Sequence, residues 1–146
     1  MGIQIDVKSK LKEFVETNLP DYKEMKFSYE IELNSSTVIT SYAVRFGSAQ
    51  TVKGTNKTAT FDQDFSIELA RKFTTANESD KDLKDKIDQL YNDHETLYEK
   101  VFRENLSIAG VLLVQSIRLT EPKIVADNSL VTIEAIYSVK YRTGVI

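Results

Sequence analysis

Apolar and polar residues alternate along this chain in two rhythms, and the places where the rhythm changes mark its elements. Ile3, Val7, Leu11, Phe14, Val15 and Leu19 recur every three or four positions, the stripe of an amphipathic helix. Lys8, Lys10, Lys12, Glu13 and Glu16 take the wet side. Pro20 cannot continue a helix and restricts the residue before it, so the segment should stop there. The rhythm then changes to two. Met25, Phe27, Tyr29, Ile31 and Leu33 alternate with polar residues, and Asn34-Ser35-Ser36 supplies a turn. Tyr42, Val44 and Phe46 alternate up to Gly47. The clearest strand follows, with Phe61, Gln63, Phe65, Ile67, Leu69, Arg71 and Phe73 on one face and Asp62, Asp64, Ser66, Glu68 and Lys72 on the other. Such a run would reach about 40 Å, roughly twice an ordinary strand.

Ser48 to Thr60 contains Gly54, Lys53 and Lys57, no acid and little to bury, which predicts a mobile loop at a tip of the sheet. A long helix is expected from about Asp80 to Glu104. Leu83, Ile87, Leu90, His94, Leu97 and Val101 form its stripe, widened by Tyr91, Tyr98 and Phe102. Ser79 and Asp82 suit its start, Lys100 and Arg103 its end. Two strands close the chain. Val111, Leu113, Ile117 and Leu119 share one face of the first; Val131, Ile133, Ala135, Tyr137, Val139 and Tyr141 share one face of the second, after Glu121-Pro122 and the turn residues Asp127-Asn128-Ser129. The order α-β-β-β-α-β-β predicts an α+β fold, a mainly antiparallel sheet with helices packed on one face. All 146 residues fit a single domain, 1–146.

Leu112, Val114 and Ile136 have the opposite parity. In a simple hairpin turning near Val125 they fall on the wet face, with Val114 close to Ile136. That predicts a small apolar patch and, from it, a subunit interface; scattered surface hydrophobes are the plainer explanation.

Composition narrows the functional classes. Net charge is −3, so the basic excess of a duplex-binding domain is missing. With no cysteine there is no disulfide framework, thiolate metal site or thiol nucleophile, and one histidine leaves little room for triad chemistry. Met1 to Asp6 has neither a basic start leading into an apolar run nor a myristoylation pattern, and no apolar stretch approaches a bilayer span, so a chain made and kept inside a cell, without membrane contact, is expected. The sequons at Asn34, Asn56, Asn77 and Asn105 carry no meaning without secretion.

Candidate chemistry is sparse. Asp62 with Asp64, and Glu30 with Glu32, could hold Mg²⁺ or Ca²⁺ or act as acid and base, yet both pairs simply fill the polar side of an alternating strand. His94 lies on an apolar stripe, where a packed, hydrogen-bonded ring is the ordinary role. Lys53-Gly54-Thr55 lacks the order of a phosphate loop and leads into a strand. The loop lysines form a weak phosphate footprint, and the tyrosines sit on core-facing positions, unsuited to stacking bases. No cofactor is expected.

Taken together, the short first helix, Tyr42-Ala43-Val44-Arg45-Phe46-Gly47, the small-residue loop, Phe61-Asp62-Gln63-Asp64-Phe65-Ser66-Ile67-Glu68-Leu69, the long helix ending Leu97-Tyr98-Glu99-Lys100-Val101, the Glu121-Pro122 corner and the closing Val139-Lys140-Tyr141-Arg142 resemble a tail terminator, or tail-completion, protein of long-tailed bacteriophages. The resemblance spans most of the chain and rests on patterns and dipeptides. It implies an α+β subunit that assembles as a hexameric ring on the last ring of the tail tube. There the ring ends tube growth and presents a surface to the head-tail connector protein, in a virion assembled in the host cytoplasm. DNA would pass through its lumen without sequence recognition, and no catalytic residue is carried over. Ring contacts would be heterologous. Under this expectation Leu112, Val114 and Ile136, with Lys53 and Lys57 of the loop, are the candidate interface residues. A head-to-tail adaptor or tail-tube subunit is the nearest alternative, and a small ligand-binding module with a polar-lined pocket a more distant one.

Overall fold

The computed structural model describes residues 3–24, 40–54, 58–73, 81–108, 112–125 and 130–144. The strand expected over Met25–Leu33, its turn, the Ser79 cap and the Asp127–Ser129 turn lie outside them. Helix α1 covers Ile3–Asn18, and the Leu19 amide still donates to the Val15 carbonyl (2.7 Å) before Pro20 ends the run. The Asn18 side-chain amide donates to the Phe14 carbonyl at 2.7 Å. Strands β1 (Lys23–Glu24), β2 (Thr40–Gly54) and β3 (Thr58–Lys72) precede helix α2 (Lys81–Arg103). Then come β4 (Ser107–Ile108), β5 (Leu112–Leu119), β6 (Lys123–Val125) and β7 (Leu130–Gly144). The fold is α+β, as the periodicities predict.

In the sheet the order is β1-β2-β3-β7-β5-β4, with β6 on the same edge of β7 as β5; every described pairing but β1–β2 is antiparallel. β3 and β7 pair without a break from Thr58↔Gly144 to Lys72↔Leu130. At 15 residues each, β2, β3 and β7 extend about 50 Å, against about 35 Å for α2, so the sheet is longer than the helix that covers it. Both helices pack on one side. Val7, Leu11, Phe14 and Val15 of α1 and Leu90, Leu97 and Val101 of α2 meet Tyr42, Phe65, Ile67, Leu69, Ile133 and Tyr137 of the sheet. A leucine buried this fully stabilises by about 1.5–3 kcal/mol.

Three expectations need correction. Ser48–Gly54 and Thr58–Thr60 are strand, not loop. β2 runs on to Gly54 and β3 begins at Thr58, because their backbones pair from Gln50↔Gln63 to Gly54↔Ala59 while β3 is held on its other edge by β7. Tyr91 and Phe102 do not widen the buried stripe of α2; both are exposed. Each sits one position, about 100° of rotation, beyond a buried residue (Leu90 and Val101), and so leaves the covered face.

The third correction concerns β5. Leu112 and Val114, predicted for the wet face, are buried in the core, and Leu113 is exposed. Val114 pairs with Val139 and Ser116 with Ser138, so Gln115 is an extra residue opposite no partner. One inserted residue reverses the parity of what precedes it. Ile117 and Leu119 keep the core-side register opposite Tyr137 and Ala135, and Val114 does not lie opposite Ile136, which pairs with Arg118.

A second irregularity bends β2. Gly47, Ser48 and Ala49 stand between Phe46↔Phe65 and Gln50↔Gln63, two more residues than β3 supplies. A Cβ on Gly47 would lie 2.7 Å from the Asp64 carbonyl oxygen and 2.9 Å from its Cβ, so only glycine fits against that strand. Opposite, a polar clamp ties the N-terminal segment to the sheet and α2. Arg71 donates to Asp93 through Nη2 (2.8 Å) and Nε (3.2 Å), Tyr22 donates its hydroxyl to the same carboxylate, and the guanidinium lies over the Tyr22 ring.

Gly47→Ala is expected to cost about 1–3 kcal/mol, since backbone must move to admit the methyl. Arg71→Met, which leaves the mostly buried Asp93 carboxylate without its cation, should cost about 2 kcal/mol after allowance for the solvent that still reaches it. Urea unfolding of each variant measures both.

Candidate interaction surface

The predicted interface set separates in three dimensions. Leu112 and Val114 belong to the core, and Ile136 is half-buried on the face away from the helices, between Ser66 and Arg118. Lys53 is exposed near the end of β2, and Lys57 lies outside the described residues. The described ones, Leu112, Val114, Ile136 and Lys53, form no common patch.

Of the large apolar side chains exposed among the described residues, Val52, Phe102, Leu106 and Leu113 lie toward one end of the sheet, and Tyr91, Leu119 and Ile124 lie elsewhere. At that one end a row crosses the sheet from Val52 of β2 through Phe61, Tyr141 and Leu112 to Ile108 of β4. At one edge Val52 is 52% exposed, beside a Phe61 that stacks on Tyr141 with ring centroids 4.9 Å apart. The other edge is a corner where α2 passes into β4. Phe102 is 60% exposed on α2, Leu106 is exposed in the turn that follows, and Leu113, paired with Ser107, is exposed on the sheet face away from the helices. Backbone bonds hold this corner. The Leu106 amide donates to the Val101 carbonyl (2.8 Å), and the Val114 amide donates to the Leu106 carbonyl (2.7 Å). Asn105 and Leu106 take φ of 59° and 62°, left-handed values that are ordinary for asparagine and unfavourable for leucine. The fold therefore holds a bulky apolar side chain outward at some cost in backbone strain. Four strand spacings separate the two edges, about 19 Å.

The face away from the helices is polar and internally paired. Glu68 and Glu134 stand directly opposite each other, and Arg45 lies between them at 2.9 and 3.9 Å. Ser138 donates to Asp64 at 2.8 Å, Arg118 stands 3.8 Å from the same carboxylate, and Lys140 4.0 Å from Asp62. The Asp-x-Asp pair thus faces cations and a hydroxyl, and among the described residues no group of three His, Cys, Asp or Glu could hold a metal. Glu30 and Glu32 lie outside the described residues.

A groove of about 420 Å³ runs between α1 and the end of α2, lined by Lys10, Glu13, Thr17, Lys100 and Glu104 over Phe14 and Ile108. Its charges are mixed and Lys100 is already paired with Glu104 at 3.0 Å, so it offers no single sign to a ligand. His94 is fully buried, and its Nε2–H donates to the Ile133 carbonyl at 2.9 Å, as a packed histidine would. Among the described residues no helix is long and apolar enough to cross a membrane. Comparison of the sequence with protein-family models and with curated proteins finds no match.

Phe102, Leu106 and Leu113 escape a reading by period because the first directly follows buried Val101, the second lies in the turn after α2 and the third depends on the bulge. A signal for the bulge exists. Two apolar sets of opposite parity meet at Gln115-Ser116, where an inserted residue reconciles them.

Burial lowers the His94 pKa below 6.5, against the smaller opposing effects of the Ile133 carbonyl and Asp93. The unfolded chain then takes up a proton at higher pH than the folded one. Stability is fully present above about 6.5 and falls as pH drops toward the folded pKa. His94→Gln should flatten the part of this slope just below pH 6.5, read from urea midpoints between pH 7.5 and 5 (a range of about one unit above to 1.5 below the free value).

Proposed function

We propose that this chain is a structural virion protein of a long-tailed bacteriophage, a terminator whose ring seats on the tail tube, ends its growth and joins it to the head connector. The observation that carries the reading is a pair of unlike exposed apolar sites toward the same end of the sheet, Val52 at one edge and Phe102 with Leu106 at the other. Unlike patches on one chain suit heterologous contacts, in which each copy gives one surface to one neighbour and the second to the next until rotation closes a ring. The paired outer face also supports it. Its carboxylates and cations neutralise one another, which suits a surface past which DNA slides without being held. On this reading the partners are five further copies, the tube protein and the connector. The α+β fold is compatible with many functions and carries none of this by itself.

Purified protein is expected to form closed six-fold rings by light scattering and negative-stain imaging. Long tubes would favour a tube subunit, and a monomer under all conditions a ligand module. Val52→Asp and Phe102→Asp should each abolish rings, whereas mixing the two variants should restore a single contact and give heterodimers.

A further inference from the structure

Three polar atoms beneath α2 are buried without a hydrogen-bond partner: Nδ1 of His94, the hydroxyl of Tyr98 and the hydroxyl of Tyr137. Nδ1 is a bare acceptor, because Nε2 carries the proton given to Ile133. His94 and Tyr98 are neighbours one helical turn apart, with ring centroids 6.3 Å apart; the Tyr98 and Tyr137 rings follow at 6.4 Å. Ile133 and Tyr137 lie on the core face of β7, and the residue between them on that face is Ala135, fully buried, opposite Ile67 and Leu119. Every other core-facing residue of β7 from Val131 to Tyr141 is larger, so the side-chain layer of β7 is thinnest at Ala135.

We propose that this space over Ala135 is a binding site for one buried water molecule that links α2 to the sheet. Leaving a buried hydroxyl or ring nitrogen unbonded costs about 1–3 kcal/mol, so three such atoms on neighbouring rings favour a shared solvent molecule. Water donates one hydrogen to Nδ1 and accepts the hydrogens of both tyrosine hydroxyls, the three bonds typical of an internal water. The site is distinct from the Tyr22–Asp93–Arg71 clamp, whose groups already satisfy one another.

A high-resolution crystal structure should show one ordered solvent peak within hydrogen-bond reach of Nδ1 and both hydroxyls. Hydroxyls bonded to each other or to backbone, with no solvent between them, would overturn the proposal. A thermodynamic test is independent. Ala135→Val should expel the water and lower Tm by several degrees in the parent. In the Tyr98→Phe/Tyr137→Phe background, where only Nδ1 of His94 is left to hold the water, it should cost much less or raise Tm. An equal shift in both backgrounds would mean simple overpacking and would sink the water site.

Discussion

Fifteen consecutive residue pairs between β3 and β7 are the constraint from which the rest of the molecule follows. Because pairing in a ladder fixes side-chain parity, that one unbroken run decides which residues of two strands face the helices and which face away. It places Phe61–Tyr141, Phe65–Tyr137 and Leu69–Ile133 on the core side in register, and Asp62–Lys140 and Asp64–Ser138 on the other. β2 and β5 then inherit their faces from β3 and β7. A core facing one side only is what requires both helices to lie together, and α1 and α2 do.

On either side of this ladder the neighbouring strand is irregular. β2 carries extra residues at Gly47–Ala49 and β5 carries Gln115. The two departures differ in consequence. Two extra residues restore the parity of β2, so Val52 still points with Phe46; one extra residue reverses it in β5 and sends Leu112 and Val114 inward and Leu113 outward. Bulges of this kind bend a strand and increase its twist, which is compatible with long strands curling around two helices.

Polar groups enter this core under different terms. Arg71, Asp93 and Tyr22 satisfy one another, so their burial fastens three elements at little net cost. His94, Tyr98 and Tyr137 each retain an unbonded atom, and burial pushes both tyrosine hydroxyls to higher pKa and the imidazole to lower, keeping all three neutral. At the surface the charged side chains are mostly paired. Among the described residues, large apolar side chains are exposed toward one end of the sheet (Val52, Phe102, Leu106 and Leu113) and, away from it, at Tyr91, Leu119 and Ile124.

Element type and order were legible in the sequence because they rest on local period. Val7, Leu11 and Val15 at helical spacing, Phe65, Ile67 and Leu69 at strand spacing, and Pro20 as a stop each act within a few residues. The buried role of His94 followed from the same stripe. Strand length and surface composition were not legible. Ser48–Gly54 has little to bury and reads as loop, yet pairs as strand because β3, already held by β7, offers its backbone. Leu112, Val114 and Leu113 exchange faces through one unpaired residue whose presence only the partner strand defines. Backbone hydrogen bonds to a distant strand carry no trace in side-chain period, so local sequence determined what each segment is, and tertiary pairing decided where it ends and which way it faces.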